Sequence, residues 1–262
     1  MIRKALKETK RVVVKVGTST LTYENGKLNL RRIEQLVRVL SDLKNRGMEV
    51  ILVSSGAIGV GVGKLGLKHK PTITMEKQAA AAVGQCELMY LYDKIFSEYG
   101  YSTAQVLLTK DVIENKERKQ NVVNTFITLL RMDVVPVVNE NDAISVEEIE
   151  FGDNDTLSAV VACLTDSETL VILTDIDGLY SENPKENPDA ELISDVYEIN
   201  EDLKKIAGGA GSNRGTGGMI TKVMAAEIAT KSGIHTVVCN GADPGILYSL
   251  FDGENVGTVF HA

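Results

Sequence analysis

The sequence predicts an α/β fold on a mainly parallel sheet, and three observations carry that reading. Apolar runs rich in β-branched residues alternate with segments of helical period, the strand–helix–strand order that parallel pairing requires. Polar clusters at residues 15–19, 54–56, 139–142 and 174–175 each close such a run, at the carboxyl end where open α/β sheets receive ligands. Finally, 262 residues at 44% apolar content suit one large domain, or two closely joined lobes, with a substantial core.

The first run, Arg-Val-Val-Val-Lys-Val over Arg11–Val16, reads as a buried strand opening into Gly17-Thr18-Ser19, with Lys15 as its one oddity. Leu30, Ile33, Leu36, Val37, Leu40 and Leu43 then recur at steps of three and four, and Gly47 stands where the helix should stop. Residues 48–53 form the next strand, ending at Ser54-Ser55-Gly56-Ala57. A long Ala-rich helix is expected over about residues 75–98, a second over about 116–131, and a strand at 134–138 leading into Asn139-Glu140-Asn141-Asp142. Residues 145–151 suggest a short polar strand, followed by a helix to about Leu164 and a buried strand at 169–173 ending in Thr174-Asp175. Residues 177–217 are the least regular, with two Asn-Pro steps and a glycine-rich run. A helix over about 219–232 and strands at 236–239 and 257–260 complete the reading.

Several function classes drop out. The formal charge of −8, from 28 Lys plus Arg against 36 Asp plus Glu, has the wrong sign for gripping nucleic acid, so no nucleic-acid partner is expected. Cys86, Cys163 and Cys239 lie far apart without a CxxC pair, which reads as reduced buried thiols of a cytoplasmic protein. No apolar run approaches the ~20 residues of a membrane helix, and the first ten residues lack a secretory apolar region, so no membrane partner is expected either. A P-loop fails, because Gly63-Lys64 is followed by Leu65. A formal GxGxxG at Gly61, Gly63 and Gly66 reads as a coincidence in a glycine-dense segment, since Ser54-Ser55-Gly56 intervenes after the strand. His69, His235 and His261 stand at unrelated places and suggest no histidine-based mechanism.

Gly215-Thr216-Gly217-Gly218-Met219-Ile220-Thr221-Lys222 sets bare amides at the start of a helix with a lysine one turn inside, an arrangement that attracts phosphate. Its plainer reading is an open loop with a solvated lysine. Lys15, inside an apolar strand, must reach solvent or meet a partner, because burying it unpaired costs several kcal/mol. Two cations from opposite halves of the chain suggest phosphoryl transfer, where positioning and charge neutralisation do most of the catalysis. They would repel each other, and a carboxylate between them would hold both. Gly152-Asp153-Asn154-Asp155 offers two, although the same residues equally suit a helix cap or a metal.

Taken as an ordered set, Lys15-Val-Gly17-Thr-Ser19, Ser54-Ser55-Gly56-Ala57, Asn139-Glu-Asn-Asp142, Gly152-Asp-Asn-Asp155, Leu173-Thr-Asp175 and Gly215 to Lys222 resemble the amino acid kinase family. Within it they look most like its glutamate 5-kinase branch, which makes glutamate 5-phosphate for proline synthesis. The resemblance implies a three-layer αβα sandwich with a mainly parallel open central sheet. It implies one kinase domain over residues 1–262, with glutamate in about 1–165 and ATP with Mg2+ in about 166–262. Lys15 and Lys222 would be the catalytic cations, Asp155 their organiser and Asp153 its partner near substrate or metal. Glutamate would meet Ser55, Gly56, Ala57, Asn139, Asp142 and Asn154. ATP would meet Lys15, Gly17, Thr174, Asp175, Thr216, Gly217, Gly218, Met219, Ile220, Thr221 and Lys222. The γ-carboxylate is already ionised, so in-line attack needs no general base and no covalent enzyme intermediate. Feedback inhibition by proline and a homo-oligomer, dimer or tetramer, are further expectations. Many bacterial members add an RNA-binding-like PUA module after the kinase domain, for which 262 residues leave no room.

Overall fold

The computed structural model describes residues 3–23, 27–109, 112, 114–144, 154–184, 186–208 and 218–262. Its strands are β1 (Arg11–Val16), β2 (Glu49–Ser54), β3 (Thr103–Leu108), β4 (Val135–Glu140), β5 (Thr169–Thr174), β6 (Asp195–Val196), β7 (His235–Asn240) and β8 (Thr258–Phe260). They form a single sheet in the order β3-β4-β2-β1-β5-β7-β8-β6. Every pairing among them is parallel except β7 with β8. The strand expected at residues 145–151 lies outside the described residues.

The helices are α1 (Arg3–Lys7), α2 (Thr18–Leu21), α3 (Leu30–Asn45), α4 (Ala57–Leu65), α5 (Thr74–Glu98), α6 (Lys116–Arg131), α7 (Asn154–Leu164), α8 (Glu201–Gly208), α9 (Met219–Thr230) and α10 (Ile246–Phe251). The two helices whose starts the sequence marks most clearly are capped as their residues suggest: Asn29 Oδ1 accepts from Arg32 N, and Asn115 Oδ1 from Arg118 N. No helix among the described residues is long and apolar enough to cross a membrane.

Both faces of the sheet are covered, which explains why the central strands are apolar throughout rather than alternating. Side chains still alternate between faces. Val12, Val14 and Val16 join one core with Leu36, Leu40, Leu88, Phe96 and Leu250, drawn from α3, α5 and α10. Val13 enters the opposite core with Leu157, Val161, Val223 and Ala226, drawn from α7 and α9. The two-residue period therefore directs Lys15, two residues after Val13, toward α7 and α9.

Several elements depart from the sequence reading. The glycine-dense segment is helix α4, and a Cβ on Gly61 would overlap the Ala80 carbonyl oxygen, so that glycine serves a backbone-close crossing of α4 with α5. At the same crossing a Cβ on Gly84 of α5 would overlap the Ala57 carbonyl oxygen. β3 had no apolar run to announce it, because it is an edge strand and only Leu108 in it is fully buried. Within residues 177–217, β6 and α8 supply order that composition hid, and α10 escaped notice because it is only six residues long. The expectation of buried thiols fits Cys239 alone: Cys163 is half-buried and Cys86 exposed, and all three are free.

Candidate active site

The carboxyl ends of β1, β2, β4, β5 and β7 open on the side where α4, α7 and α9 begin. At the centre stands a buried charge cluster. Asp155, in the first turn of α7, puts Oδ1 2.7 Å from Lys15 Nζ and Oδ2 3.0 Å from Lys222 Nζ. Thr221 Oγ1 donates to the same Oδ2 at 2.8 Å. Asp155 is 0% exposed, Lys15 5% and Lys222 6%, so none of the three charges is solvated in the ordinary way. Burial alone would push the Asp155 carboxyl up; the Lys15 and Lys222 ammoniums overcome that and hold it down at about 2.

Magnitudes explain why the lysine in α9 is tolerated. A cation in the first turn of a helix opposes the dipole by ~0.3–1 kcal/mol. One ion pair at ~4 Å and an effective dielectric near 20 is worth ~4 kcal/mol before desolvation, so the pair with Asp155 dominates. Asp155 itself sits at the favourable end of α7. Among the described residues two ammoniums stand against one carboxylate, a surplus positive charge beside Gly17, where an added Cβ would stand 3.8 Å from Lys15 Nζ. Such a centre attracts an anion and stabilises charge that grows on a transferring group.

Toward β2 and β4 the polar groups are amides and hydroxyls. Asn154 Nδ2 donates within reach of Ser55 Oγ at 2.9 Å, Asn139 Oδ1 at 2.9 Å and Ser54 O at 3.2 Å. Asn139, buried at the end of β4, passes the chain on by donating Nδ2 to Gln85 Oε1 at 2.9 Å. Ser54 Oγ and the Tyr92 hydroxyl, 3.0 Å apart, support the end of β2 from below. Gly56 heads α4 with φ +98°, a left-handed conformation that a side chain would strain. Beside this network lies a cavity of about 420 Å3, where Ala57, Gln85, Met89, Glu140 and Asp142 are among the lining residues.

Toward β5 and β7, Asp175 and Asp177 are exposed. Thr174 ends β5 and its hydroxyl donates to Asp175 Oδ1 at 3.2 Å. Asp177, just beyond, accepts from Asn240 Nδ2 at 2.9 Å and from the Tyr180 hydroxyl at 3.0 Å. Gly218 precedes α9 in extended conformation, and Met219, Ile220 and Thr221 form its first turn. Asp153, Thr216 and Gly217 lie outside the described residues. Among the described residues no group of three or more His, Cys, Asp or Glu is gathered closely enough to hold a metal ion.

Of the residues singled out from sequence, then, Lys15, Asp155 and Lys222 meet directly. Ser55, Asn139 and Asn154 share one hydrogen-bond network, and Ala57 and Asp142 line the cavity beside it. Thr174 and Asp175 stand apart from the charge cluster, one strand over. Sequence reasoning missed Gln85, Gln105, Tyr92, Asp177, Tyr180 and Asn240. The usable signals were two: Asn240 ends its strand as Thr174 ends its own, and Gln85 follows a helix-interior glycine.

Comparison with known proteins places this geometry. Residues 10–240 match the model of the amino acid kinase family. The chain is similar to glutamate 5-kinase of Clostridium perfringens (strain 13), 59% identical with 100% of this chain and 98% of that one covered. It is 56% identical to glutamate 5-kinase of Clostridium tetani, covering 98% and 96%, and 54% identical to that of Thermoanaerobacter sp. (strain X514), covering 95% of this chain and 67% of that one. Among solved structures, isopentenyl phosphate kinase of T. acidophilum shares the fold at TM-score 0.65 and 21% identity, covering 96% and 100%. UMP kinase of Bacillus anthracis does so at TM-score 0.64 and 17% identity, covering 97% and 96%. The chain belongs to the amino acid kinase family.

Proposed function

We propose that this chain is a glutamate 5-kinase, transferring the γ-phosphoryl group of ATP to the γ-carboxylate of L-glutamate to give L-glutamate 5-phosphate, the first step of proline biosynthesis. The observation that carries the chemistry is the buried pair of ammoniums on one carboxylate, since a pure binding protein has no need of cations gathered where charge develops. The identity to glutamate 5-kinases carries the acceptor.

In this reading glutamate occupies the cavity between α4, α5 and β4. Ser55, Gly56, Ala57, Asn139, Asp142 and Asn154 orient it, while Glu140 and Asp142 suit its α-ammonium. ATP lies over Gly17, Thr174, Asp175 and residues 216–222. The amino-terminal part, to about residue 165, thus serves the acceptor and the remainder the nucleotide. Lys15 and Lys222 approach the phosphoryl group from the two sides and stabilise its charge in flight. Asp155 holds both lysines, and Asp153 is assigned beside substrate or metal. The acceptor carboxylate attacks in line without a base.

The centre's surplus positive charge and its place beside the amino end of α9 fit a triphosphate. Mg2+ would enter with the nucleotide, held mainly by its phosphates, and would neutralise phosphate oxygens. The cavity's apolar Ala81, Met89 and Leu107 support binding of proline as a feedback inhibitor. Exposed Ile73, Met75 and Tyr90 support a homo-oligomer, a dimer or tetramer, and the composition supports a cytoplasmic setting.

The test is direct. Protein with ATP, Mg2+ and hydroxylamine should form γ-glutamyl hydroxamate from glutamate and little from aspartate or N-acetylglutamate. Equal turnover of the three would overturn the choice of acceptor.

A further inference from the structure

We infer that Gln85, outside the charge cluster, is a positioning residue that fixes the start of α7 through a directional chain of amides. Its role at the acceptor cavity rests on the proposed function. The direction follows from one backbone group. Glu140 N donates to Asn139 Oδ1 at 2.9 Å, and a backbone N–H can only meet an oxygen, so the orientation of the Asn139 amide is set. Asn139 Nδ2 must then face α5, where Gln85 answers with Oε1 at 2.9 Å. Gln85 Nε2 is thereby turned outward to Gln105 Oε1, 3.3 Å away at the cavity wall. On the other side the same Asn139 oxygen demands a donor from Asn154, which supplies Nδ2 at 2.9 Å. Asn154 is the first residue of α7, and Asp155 follows it.

Gln85 can hold this chain because its backbone has no room to drift. The preceding residue is Gly84, packed so tightly against Ala57 of α4 that a Cβ there would overlap the Ala57 carbonyl. Asn139, 2% exposed, is too deeply buried for solvent to replace Gln85 as acceptor. Losing that acceptor leaves a buried N–H unpaired and frees the Asn139 amide to turn. The loss then reaches Asn154 and the helix start that carries Asp155, while the rest of α9 is held separately by β7 and by the Lys204–Glu227 ion pair to α8.

The experiment compares Gln85→Met, which keeps volume but offers only a weak thioether acceptor, with Gln85→Glu, which keeps the oxygen acceptor. Amide hydrogen exchange without ligands should quicken ~5-fold or more across α7 in Gln85→Met and change less than about twofold in α9. Gln85→Glu should stay within about twofold of the parent in both. In steady-state kinetics, Gln85→Met should lose ~10–100-fold in kcat/KM for glutamate with KM for ATP nearly unchanged. Unchanged exchange in α7, equal quickening of α7 and α9, or Gln85→Glu behaving like Gln85→Met would each overturn the inference. If the parent protein turns over no glutamate, the functional reading has failed, and the exchange data alone decide the role of Gln85.

Discussion

Two helix pairs flank the carboxyl ends of the central strands, and they are fastened in opposite ways. α4 and α5 meet through bare backbone, with Gly61 against Ala80 and Gly84 against Ala57. The first turns of α7 and α9, above their shared apolar core, meet over β1 through charge, with Asp155 between Lys15 and Lys222. The first contact is steric and short-ranged, so it makes a rigid wall indifferent to pH. The second depends on ionisation and can be reorganised by an arriving anion. On the proposed reading the acceptor side is thus shaped once by packing, whereas the transfer centre keeps its order by electrostatics that the reaction itself perturbs.

The largest break in this contrast should come from Asp155→Asn. The change is nearly isosteric but leaves two buried ammoniums without their counter-charge, costing ~3 kcal/mol of stability. The phosphoryl-transfer rate should drop ~10²–10³-fold, read as kcat at saturating substrates alongside a denaturant midpoint. Both readouts should move, because on the proposed reading this wholly buried carboxylate is structural and catalytic at once.

Gly84→Ala should be the next largest. Its new methyl cannot fit against the Ala57 carbonyl, so α4 and α5 must part at a cost of ~1–3 kcal/mol, and KM for glutamate should rise while KM for ATP holds. This loss should not vary between pH 7 and 5, as a steric contact requires.

Acid probes the charged pair instead. The Asp155 carboxyl lies at about 2 when folded against an ordinary value of 3.8, so its contribution is complete above about pH 4 and disappears as pH falls through about 2. The stability gap between the parent and Asp155→Asn should therefore shrink by ~2 kcal/mol between pH 5 and pH 2. A gap that stayed constant would show that the lysines do not hold the carboxyl down.

The smallest effect is expected from Thr221→Val, which removes a hydroxyl donor from Asp155 Oδ2 at constant shape. A loss of ~1.5 kcal/mol and about a tenfold lower kcat should follow, with Thr221→Ser restoring most of both.

What the sequence revealed follows from where physics is local. β1 was legible because six residues state both its burial and its anomaly, and α3 because its apolar stripe and Asn cap are contiguous. α4 was illegible for the opposite reason: its small residues show no stripe, and their purpose is supplied by α5. Edge strand β3, with little buried on either face, left no hydrophobic mark. In the site, Lys15 raised its own question, but only the ordered set of motifs pointed to Asp155 and Lys222 as its answer. The chain from Gln85 to Asn154 could not be read in advance, because amide orientation depends on a neighbour's backbone N–H and on a helix crossing invisible in one dimension.

β1 precedes β2 and β5 in the chain, yet it lies between them in the middle of the sheet. It finds β2 early, but its other edge must wait until β5 has been synthesised. Lys15 then waits longer still, for Asp155 and finally for Lys222. At ~5–20 residues per second the half-made chain carries a lone lysine in a half-covered strand for many seconds. On the proposed reading, a nascent chain can therefore shape an acceptor wall before it owns a transfer centre, and competence waits until α9 has been made.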